Sequence, residues 1–550
     1  MPATHAVSNQ VPALVGHDVA ANDPALHAGL AAAGAALTPA LRSLALAAGS
    51  AEIIEAVELV NGHPPVLRTH DRAGHRVDEV DYHPAWHTLM SRAVAAGLQA
   101  APWAPDADSQ AHLHRAAGFY LWTQTESGHL CPISMTYSAV PTLRQSPALA
   151  AQYEAGLRSR TYDFGLRPAP AKAGLLAGMS MTEKQGGSDL RAGSTVAAPD
   201  PAGADAYRLT GHKWFTSAPM NDVFLTLAQA LHGLTCFLLP RVLPDGTRNS
   251  IALQRLKDKL GNRSNASAEL EYDGAVGWRI GDEGRGVPTI LEMVTMTRLD
   301  CVLGSAGQMR AALSQAAWYS EHRNAFGRPL IDQPAMTAVL ADLAVESWAA
   351  TLTAIRLADL VQSEVATPGG DPHAAGLLRL ALPVSKFWVC KRAVPMIAEA
   401  LECLGGNGYV ETFPMARLLR ESPLNGIWEG SGTVTALDAV RALQRTPGSG
   451  DALLDEVRKA GGVSAAFDEA LSTLEHALSA GVDPARARTI SSLAARLLAA
   501  SLLIRQAPAE IADLYCATRL AGHGDRVFGE LPAAGYPLRA IVEAVTPTLK

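Results

Sequence analysis

Four short segments of this chain place residues able to do chemistry beside glycines. In Asn425-Gly426-Ile427-Trp428-Glu429-Gly430-Ser431-Gly432 a carboxylate stands between an indole and flexible backbone, just ahead of a renewed helix. Burial there would raise its pKa toward that of a working base. A helix N-terminal carboxylate that complements the dipole is the plainer reading of the same residues. In Met179-Ser180-Met181-Thr182-Glu183-Lys184-Gln185-Gly186-Gly187-Ser188-Asp189 the glycine pair allows close backbone approach, and Thr182 and Ser188 offer hydroxyls to a polar ligand. Gly-Gly-Ser-Asp is equally an ordinary turn. Gly211-His212-Lys213-Trp214-Phe215-Thr216-Ser217 sets a Trp among hydroxyls on a strand, able to pack on a planar ring or to fill a half-buried position. Leu404-Gly405-Gly406-Asn407-Gly408-Tyr409 follows a helix, either as its cap or where backbone approaches a cofactor. No GxGxxG follows a strand and opens a helix, so the dinucleotide fingerprint is absent.

The elements that carry these segments alternate in kind. Residues 1–175 read as mostly helical, with turns at Asn61-Gly62-His63-Pro64-Pro65 and Trp103-Ala104-Pro105-Asp106 and an interruption at Thr38-Pro39. From 176 to 280, short apolar runs divided by Gly, Pro and Asp predict an antiparallel β-domain. Helical spacing returns near Gly286, and 281–445 reads as a bundle with long helices over 333–360 and 381–404, separated by the loop Thr367 to Pro372. Thr446-Pro447-Gly448-Ser449-Gly450 reads as a linker into a helical extension, 446–550. The fold class expected is α+β, mostly α, with the four segments falling at the junctions.

Composition narrows the function classes. Of 550 residues, 48% are hydrophobic and 18% charged, enough for a sizeable core. The net charge of −7 lacks the basic balance of a protein devoted to gripping nucleic acid. No stretch of about 18 residues is free of charged and polar side chains, so no membrane-spanning helix is expected. The start, Met1-Pro2-Ala3-Thr4-His5, reads without a secretory signal, which makes the cytoplasm the expected location. Six scattered cysteines read as reduced thiols. His83 with His87 and His112 with His114 lack a completing ligand set, so no metal is expected.

The segments resemble, in order, those of the acyl-CoA dehydrogenase superfamily: Met181 to Asp189, Gly211 to Thr216, Arg323-Asn324-Ala325-Phe326-Gly327, Leu404 to Gly408 and Ile427 to Ser431. His83-Pro84-Ala85-Trp86-His87, Cys131 to Thr136 and Arg255 to Ser267 resemble the branch that contains the alkylation-response flavoprotein AidB.

That resemblance implies an N-terminal helical domain, a middle β-domain, a C-terminal four-helix bundle and an added helical extension, with FAD between β-domain and bundle. Met181 and Thr182 would line the flavin ring, Ser188 would lie near the pyrophosphate, and Trp214, Phe215, Thr216 and Ser217 would cover the isoalloxazine. Arg323, Phe326, Gly405 and Gly406 would hold the FAD of a neighbouring subunit, implying a homotetramer. Met179, Gly187, Ile427, Trp428, Gly430, Ser431 and Gly432 complete the implied cofactor-binding set. Glu429 matches the commonest base position, its own N–H helping to polarise the thioester carbonyl. The alternative base position, on the first bundle helix, holds Thr297 before Arg298. Trp428 replaces the usual Tyr and is expected to narrow the acyl pocket, while Glu402 replaces the usual Gln near the adenine.

Oxidation of an acyl-CoA thioester follows, with a short or branched chain such as isovaleryl-CoA as substrate and electron-transfer flavoprotein as acceptor. The rival reading is a DNA-associated flavoprotein of the alkylation damage response with weak dehydrogenase activity. Residues 451–550 hold ten Lys and Arg against twelve Asp and Glu. Arg486, Arg488, Arg496 and Arg505 could still share a basic helical face, or be ordinary solvated arginines. Direct reaction of reduced flavin with oxygen is a third possibility that the sequence does not decide.

Overall fold

Prolines in the first turn open several of the helices, among them the first, second and fourth. The computed structural model describes residues 4–549 apart from 202, 204, 524, 525, 533 and 534. The chain opens with α1 (Pro24–Ala32), α2 (Pro39–Ala48) and α3 (Ala51–Gly62), then a hairpin of β1 (Val66–His70) and β2 (Arg76–Asp81). Next come α4 (Pro84–Ala95), α5 (Ala111–Thr123), α6 (Leu130–Leu143) and α7 (Pro147–Leu157). Asp23 accepts from Leu26 N at 3.1 Å and Thr38 from Leu41 N at 3.3 Å, so the expected break at Thr38-Pro39 is a helix cap. His83 caps α4 in the same way, its Nδ1 accepting from Ala85 N at 3.2 Å.

The predicted strands follow: β3 (Ala177–Ser180), β4 (Val196–Pro199), β5 (Ala206–Ser217), β6 (Val223–Ala230), β7 (Gly233–Pro240), β8 (Ile251–Leu256) and β9 (Ser267–Ile280). They form one seven-stranded sheet in the order β3-β6-β4-β5-β9-β7, with β8 on β9 and a further β6–β7 pairing that curls the sheet back on itself. Pairing is mainly antiparallel, but β3 runs parallel to β6, with Met179 opposite Leu225. The departure from an all-antiparallel expectation has a simple cause: β4 and β5 lie between these strands in sequence, and a crossover of that length permits parallel pairing.

Helices resume with α8 (Gly286–His322), a two-residue ladder of β10 (Asn324–Ala325) and β11 (Arg328–Pro329), α9 (Pro334–Ala366) and α10 (Pro372–Glu402). α10 begins earlier than its apolar pattern suggests, because Asp371 accepts from His373 N at 2.9 Å and Pro372 fits the first turn. α11 (Pro414–Glu421), α12 (Gly432–Arg445), α13 (Ser449–Arg458), α14 (Ala465–Ser479), α15 (Ala487–Gln506), α16 (Ala509–Tyr515) and α17 (Leu538–Val545) complete the order. The expected linker is a short break, with Gly448 left-handed.

The chain divides into two compact units: residues 1–54, 112–125 and 301–550, and residues 55–111 and 126–300. In the first, Tyr120 of α5 donates to Asp23 Oδ2 at 2.6 Å and shares a hydrogen bond with Thr351 of α9 at 3.1 Å. Arg519 is buried, bonding Asp342 at 2.7 Å and Glu346 at 2.9 Å of α9, which fastens the C-terminal segment to the bundle. In the second, the hairpin joins the sheet's core: Val80 is buried with Leu209, Phe237 and Leu253, and Arg76 donates to Leu253 O at 2.9 Å.

Two helical stretches, Pro334–Ala366 and Pro484–Gln506, are long and apolar enough to cross a membrane, contrary to the sequence expectation, but 89% and 67% of their most apolar windows are buried inside the chain. They are core helices by that measure. All six cysteines are buried and none forms a disulfide.

Candidate functional site

The sheet unit holds nine of the singled-out residues around the end of β3 and of β5. Met179 lies on β3 and Met181 and Thr182 just beyond it, all partly exposed. Trp214 N donates to Thr182 O at 2.8 Å, which sets Trp214 beside that segment. The β5–β9 register shifts between Lys213, opposite Leu270, and Thr216, opposite Ala268. Two residues therefore face one, and the bulge falls on Trp214 and Phe215. A bulge re-aims side chains, and Phe215 is left 48% exposed near the end of β5. Lys257 Nζ sits 3.2 Å from the centre of the Trp214 ring, and its ion pair with Glu269 is 2.6 Å long. Thr216 points elsewhere: it is buried, and its hydroxyl shares a hydrogen bond with Ser180 Oγ. Ser217 Oγ reaches Ser267 Oγ at 3.4 Å.

Glu183 and Lys213 hold this arrangement, although the sequence pattern singles out neither. Lys213 Nζ donates to Glu183 at 2.9 Å and to Leu227 O at 2.7 Å, with both side chains buried. Glu183 also accepts from Ser194 N at 2.5 Å and Thr195 N at 3.1 Å. Burial opposes its ionisation, but Lys213 and the Ser194 N–H outweigh that and hold the carboxyl at about 2. Burial also lowers the Lys213 pKa against the pull of Glu183. The loop from 184 to 193 is thus pinned at both ends. Within it Gly187 and Ser188 are exposed, and a Cβ on Gly187 would lie 2.6 Å from Thr182 Oγ1. The one signal that could have found the pair is a Lys and a Glu inside segments otherwise destined for the sheet.

The helical unit holds the other ten. Glu429 is one of the few non-glycine residues with a left-handed backbone, φ +55°, and Gly430 follows at φ +100°. Such a conformation costs a side-chain-bearing residue on the order of 1 kcal/mol or more and persists only where surroundings enforce it. The enforcing groups are identifiable. Lys386 of α10 donates to Trp428 O at 2.8 Å and to Gly430 O at 2.7 Å. The Trp428 indole donates to Asn425 Oδ1 at 3.0 Å, and Asn425 donates to Ser305 Oγ at 3.2 Å. Ile427 is exposed, and Ser431 and Gly432 lead into α12, where a Cβ on Gly432 would meet Lys391 Cε at 2.6 Å.

Arg323 and Phe326 lie at the β10–β11 ladder. Arg323 donates to Asn9 O, and Asn9 brackets Asn324 through two bonds of 2.8 Å. Phe326 forms the tip with φ +52° and is 98% exposed. Gly405 and Gly406 sit on a short 3-10 turn tied to α8 by Asn407 Nδ2 donating to Tyr319 OH at 3.0 Å. A Cβ on either glycine would meet nothing within 4 Å, so their backbone is open to a ligand or another chain.

Thr297 is buried, its hydroxyl donating back to Met293 O and Val294 O at 3.3 and 3.2 Å, and a threonine so bonded cannot serve as a base. Of the four arginines singled out in the extension, Arg486 and Arg488 are exposed, and three make hydrogen bonds within the helical unit. Arg488 donates to Thr433 Oγ1 at 3.2 Å, Arg496 to Arg519 O at 2.6 Å and Arg505 to Glu456 at 2.9 Å. His87 meets Tyr162 OH at 2.9 Å, and among the described residues no group of three or more His, Cys, Asp or Glu converges as a metal site would require.

In the sheet unit, an exposed phenyl and a half-buried, lysine-faced indole at a bulge beside a hydroxyl- and glycine-bearing loop suit a planar-ring, phosphate-bearing cofactor. In the helical unit, a carboxylate in a clamped, strained turn suits a base. Comparison with known proteins decides the family. Residues 9–164 match the adaptive response protein AidB N-terminal domain, 178–275 the acyl-CoA dehydrogenase middle domain and 284–444 the acyl-CoA dehydrogenase C-terminal domain. The putative acyl-CoA dehydrogenase AidB of Escherichia coli (strain K12) is 44% identical over 477 residues, 86% of this chain and 87% of that one. The chain belongs to the acyl-CoA dehydrogenase family, in its AidB-like branch. Solved relatives agree: Caenorhabditis elegans ACDH-11 in complex with C11-CoA superposes with TM-score 0.84 at 30% identity over 94% of each chain. The apo-form of Bd2924 gives 0.82 at 28% identity over 91% of this chain and all of that one. FAD is the cofactor of the acyl-CoA dehydrogenase family. The residues present fit it, through the glycine-opened loop at Gly187 and the aromatic face at Trp214 and Phe215.

Proposed function

We propose that the protein is an FAD-dependent dehydrogenase that introduces an α,β double bond into an acyl-CoA thioester, with Glu429 as base. The observation that carries this reading is the left-handed Glu429 in a clamped turn, at the position where the family's segment Ile427 to Ser431 places a base. Glu429 removes the α-proton, and the β-hydrogen leaves as hydride. Two electrons thus leave the thioester, which becomes the enoyl-CoA. FAD, when bound, supplies the hydride acceptor. Trp214, Phe215, Met181 and Thr182 orient its ring, and Gly187 and Ser188 receive its phosphates. An electron-transfer flavoprotein is the proposed acceptor.

The C11-CoA complex of the worm relative supports a medium-length acyl chain over the short or branched chain expected from sequence. A homotetramer is the proposed assembly, supported by the exposed Phe326 tip and by Tyr409, 82% exposed beside the open glycines. The DNA-associated reading is left with Arg486 and Arg488 as exposed arginines, because Arg496 is half-buried and both it and Arg505 are bonded within the helical unit.

The test is anaerobic bleaching of the bound flavin by a panel of straight, branched and C11 acyl-CoA thioesters. Rapid bleaching by at least one is expected. A fully loaded protein that none of them bleaches would overturn the dehydrogenase assignment.

A further inference from the structure

A buried lysine with no acidic partner needs an explanation, because desolvating an ammonium is expensive unless fixed dipoles replace its water. Lys386 is such a residue. It is 2% exposed in the middle of α10, and among the described residues its ammonium pairs with no carboxylate. Its two acceptors are the carbonyls of Trp428 and Gly430, at 2.8 and 2.7 Å. These are the peptide oxygens either side of Glu429. The Trp428 carbonyl lies in the peptide plane that enters residue 429 and carries its N–H, and the Gly430 carbonyl lies in the plane that leaves residue 430. A cation bridging them therefore spans the turn and holds between fixed ends the backbone that gives Glu429 its φ of +55°.

We infer that Lys386 is the positioning residue for Glu429, holding the carboxylate and the adjoining N–H in the geometry that proton abstraction requires. The inference rests on the reading of Glu429 as base. A purely structural lysine would need only to cap α10 or fill the core, yet this one reaches about forty residues along the sequence to a single turn, and that turn is the strained one. A second, weaker brace runs from the other side. Trp428 is bonded to Asn425, Asn425 to Ser305, and Ser305 donates to Cys390 Sγ at 3.3 Å, one helical turn beyond Lys386 on α10. Trp428 is therefore tied by its indole as well as by its carbonyl, and Glu429 stands between two fixed neighbours. Lys386 bonds the carbonyls of the turn and not the Glu429 carboxylate. Its effect reaches the reaction through the backbone alone. A base displaced by about 1 Å can cost on the order of a hundredfold in rate.

The experiment uses the full-length FAD-loaded protein and three variants: Glu429→Gln, Lys386→Met and Lys386→Gln. FAD content and thermal melting establish that each is folded. The rate of anaerobic flavin bleaching by C11-CoA is then followed against pH, with dithionite reduction as a control that needs no base. Lys386→Met is expected to keep FAD and ordinary dithionite reduction, but to bleach about a hundredfold more slowly with an altered pH profile. Lys386→Gln, which retains donors but not the charge, is expected to fall between. A lysine with only a structural role would change melting or FAD content and leave the pH profile of the loaded fraction alone. If Glu429→Gln bleaches at the normal rate, or the parent protein bleaches with no thioester, the base assignment fails and the role of Lys386 falls with it. If Glu429→Gln is inactive while Lys386→Met bleaches within about twofold of the parent and with its pH profile, the positioning role alone is overturned. Should Lys386→Met not fold, the same criterion applied to Lys386→Gln decides.

Discussion

Glu429 occupies a backbone conformation that a glycine would adopt more readily, which separates its chemical from its conformational contribution. Glu429→Gly is expected to leave thermal stability within about 1 kcal/mol of the parent, since relief of the left-handed strain offsets the added freedom of the unfolded chain. The same variant is expected to lose acyl-CoA-dependent bleaching. Calorimetry and the bleaching assay read the two effects independently, and a large fall in stability would mean that the turn depends on the Glu429 side chain. At this scale the sequence is informative about residue types and silent about geometry. Glu429, Trp214 and Phe326 are all legible as candidates. Nothing in their spacing reveals that Glu429 and Phe326 have positive φ or that a bulge exposes Phe215. Lys386 is hidden because a single lysine in the apolar run around Ala381 to Phe387 looks like the polar stripe of an amphipathic helix.

Among the elements, the loop between β3 and β4 owes its shape to a single buried ion pair. Lys213→Met leaves the Glu183 carboxylate buried without its cation, and is expected to cost about 3 kcal/mol or more. Glu183→Gln with Lys213→Met together should recover part of that loss. Both single variants should also weaken FAD binding, because Ser194, Thr195 and the start of the Gly187 loop hang from Glu183. Chemical denaturation with flavin fluorescence measures both effects. If FAD binding holds while stability falls, the loop would not be a cofactor element. Strand and helix content is readable here because β5, β6 and β7 are divided by clear turn residues, and a proline in the first turn marks the start of α1, α2, α4, α7, α9, α10 and α11. The β1–β2 hairpin is not readable. The residues of β1 alternate between exposed and half-buried, β2 buries only Asp78 and Val80, and packing of Val80 and Leu67 on the sheet's core reveals the hairpin.

Across the whole chain, the division into two units cuts through the N-terminal region, and no local pattern announces that. Residues 1–54 and 112–125 go with the bundle through pairings distant in sequence, such as Asp23 with Tyr120 and Tyr120 with Thr351. Buried carboxylates give the molecule a predicted acid limit. Burial disfavours the charge on Glu346, but Arg392 and Arg519 hold its carboxyl at about 2, as Lys213 does for Glu183. Carboxyls depressed in this way contribute stability that is complete above about 4.5 and lost as the pH falls toward 2. Asp222 works in the opposite sense: burial pushes it up to about 6 despite Lys172, so its protonation favours the fold as the pH falls through that value. The melting temperature should therefore change little from neutrality to about pH 5 and drop steeply below about 4.5. Assembly offers a second prediction. Phe326→Asp alters an exposed tip, so it should leave the fold intact while lowering the mass seen by light scattering.

Whether Glu429 is the base of an acyl-CoA dehydrogenation is decided by anaerobic stopped-flow bleaching of the FAD-loaded parent and Glu429→Gln with acyl-CoA. Rapid bleaching is expected in the parent and none in the variant at equal FAD content. Equal bleaching in both would remove Glu429 from the chemistry.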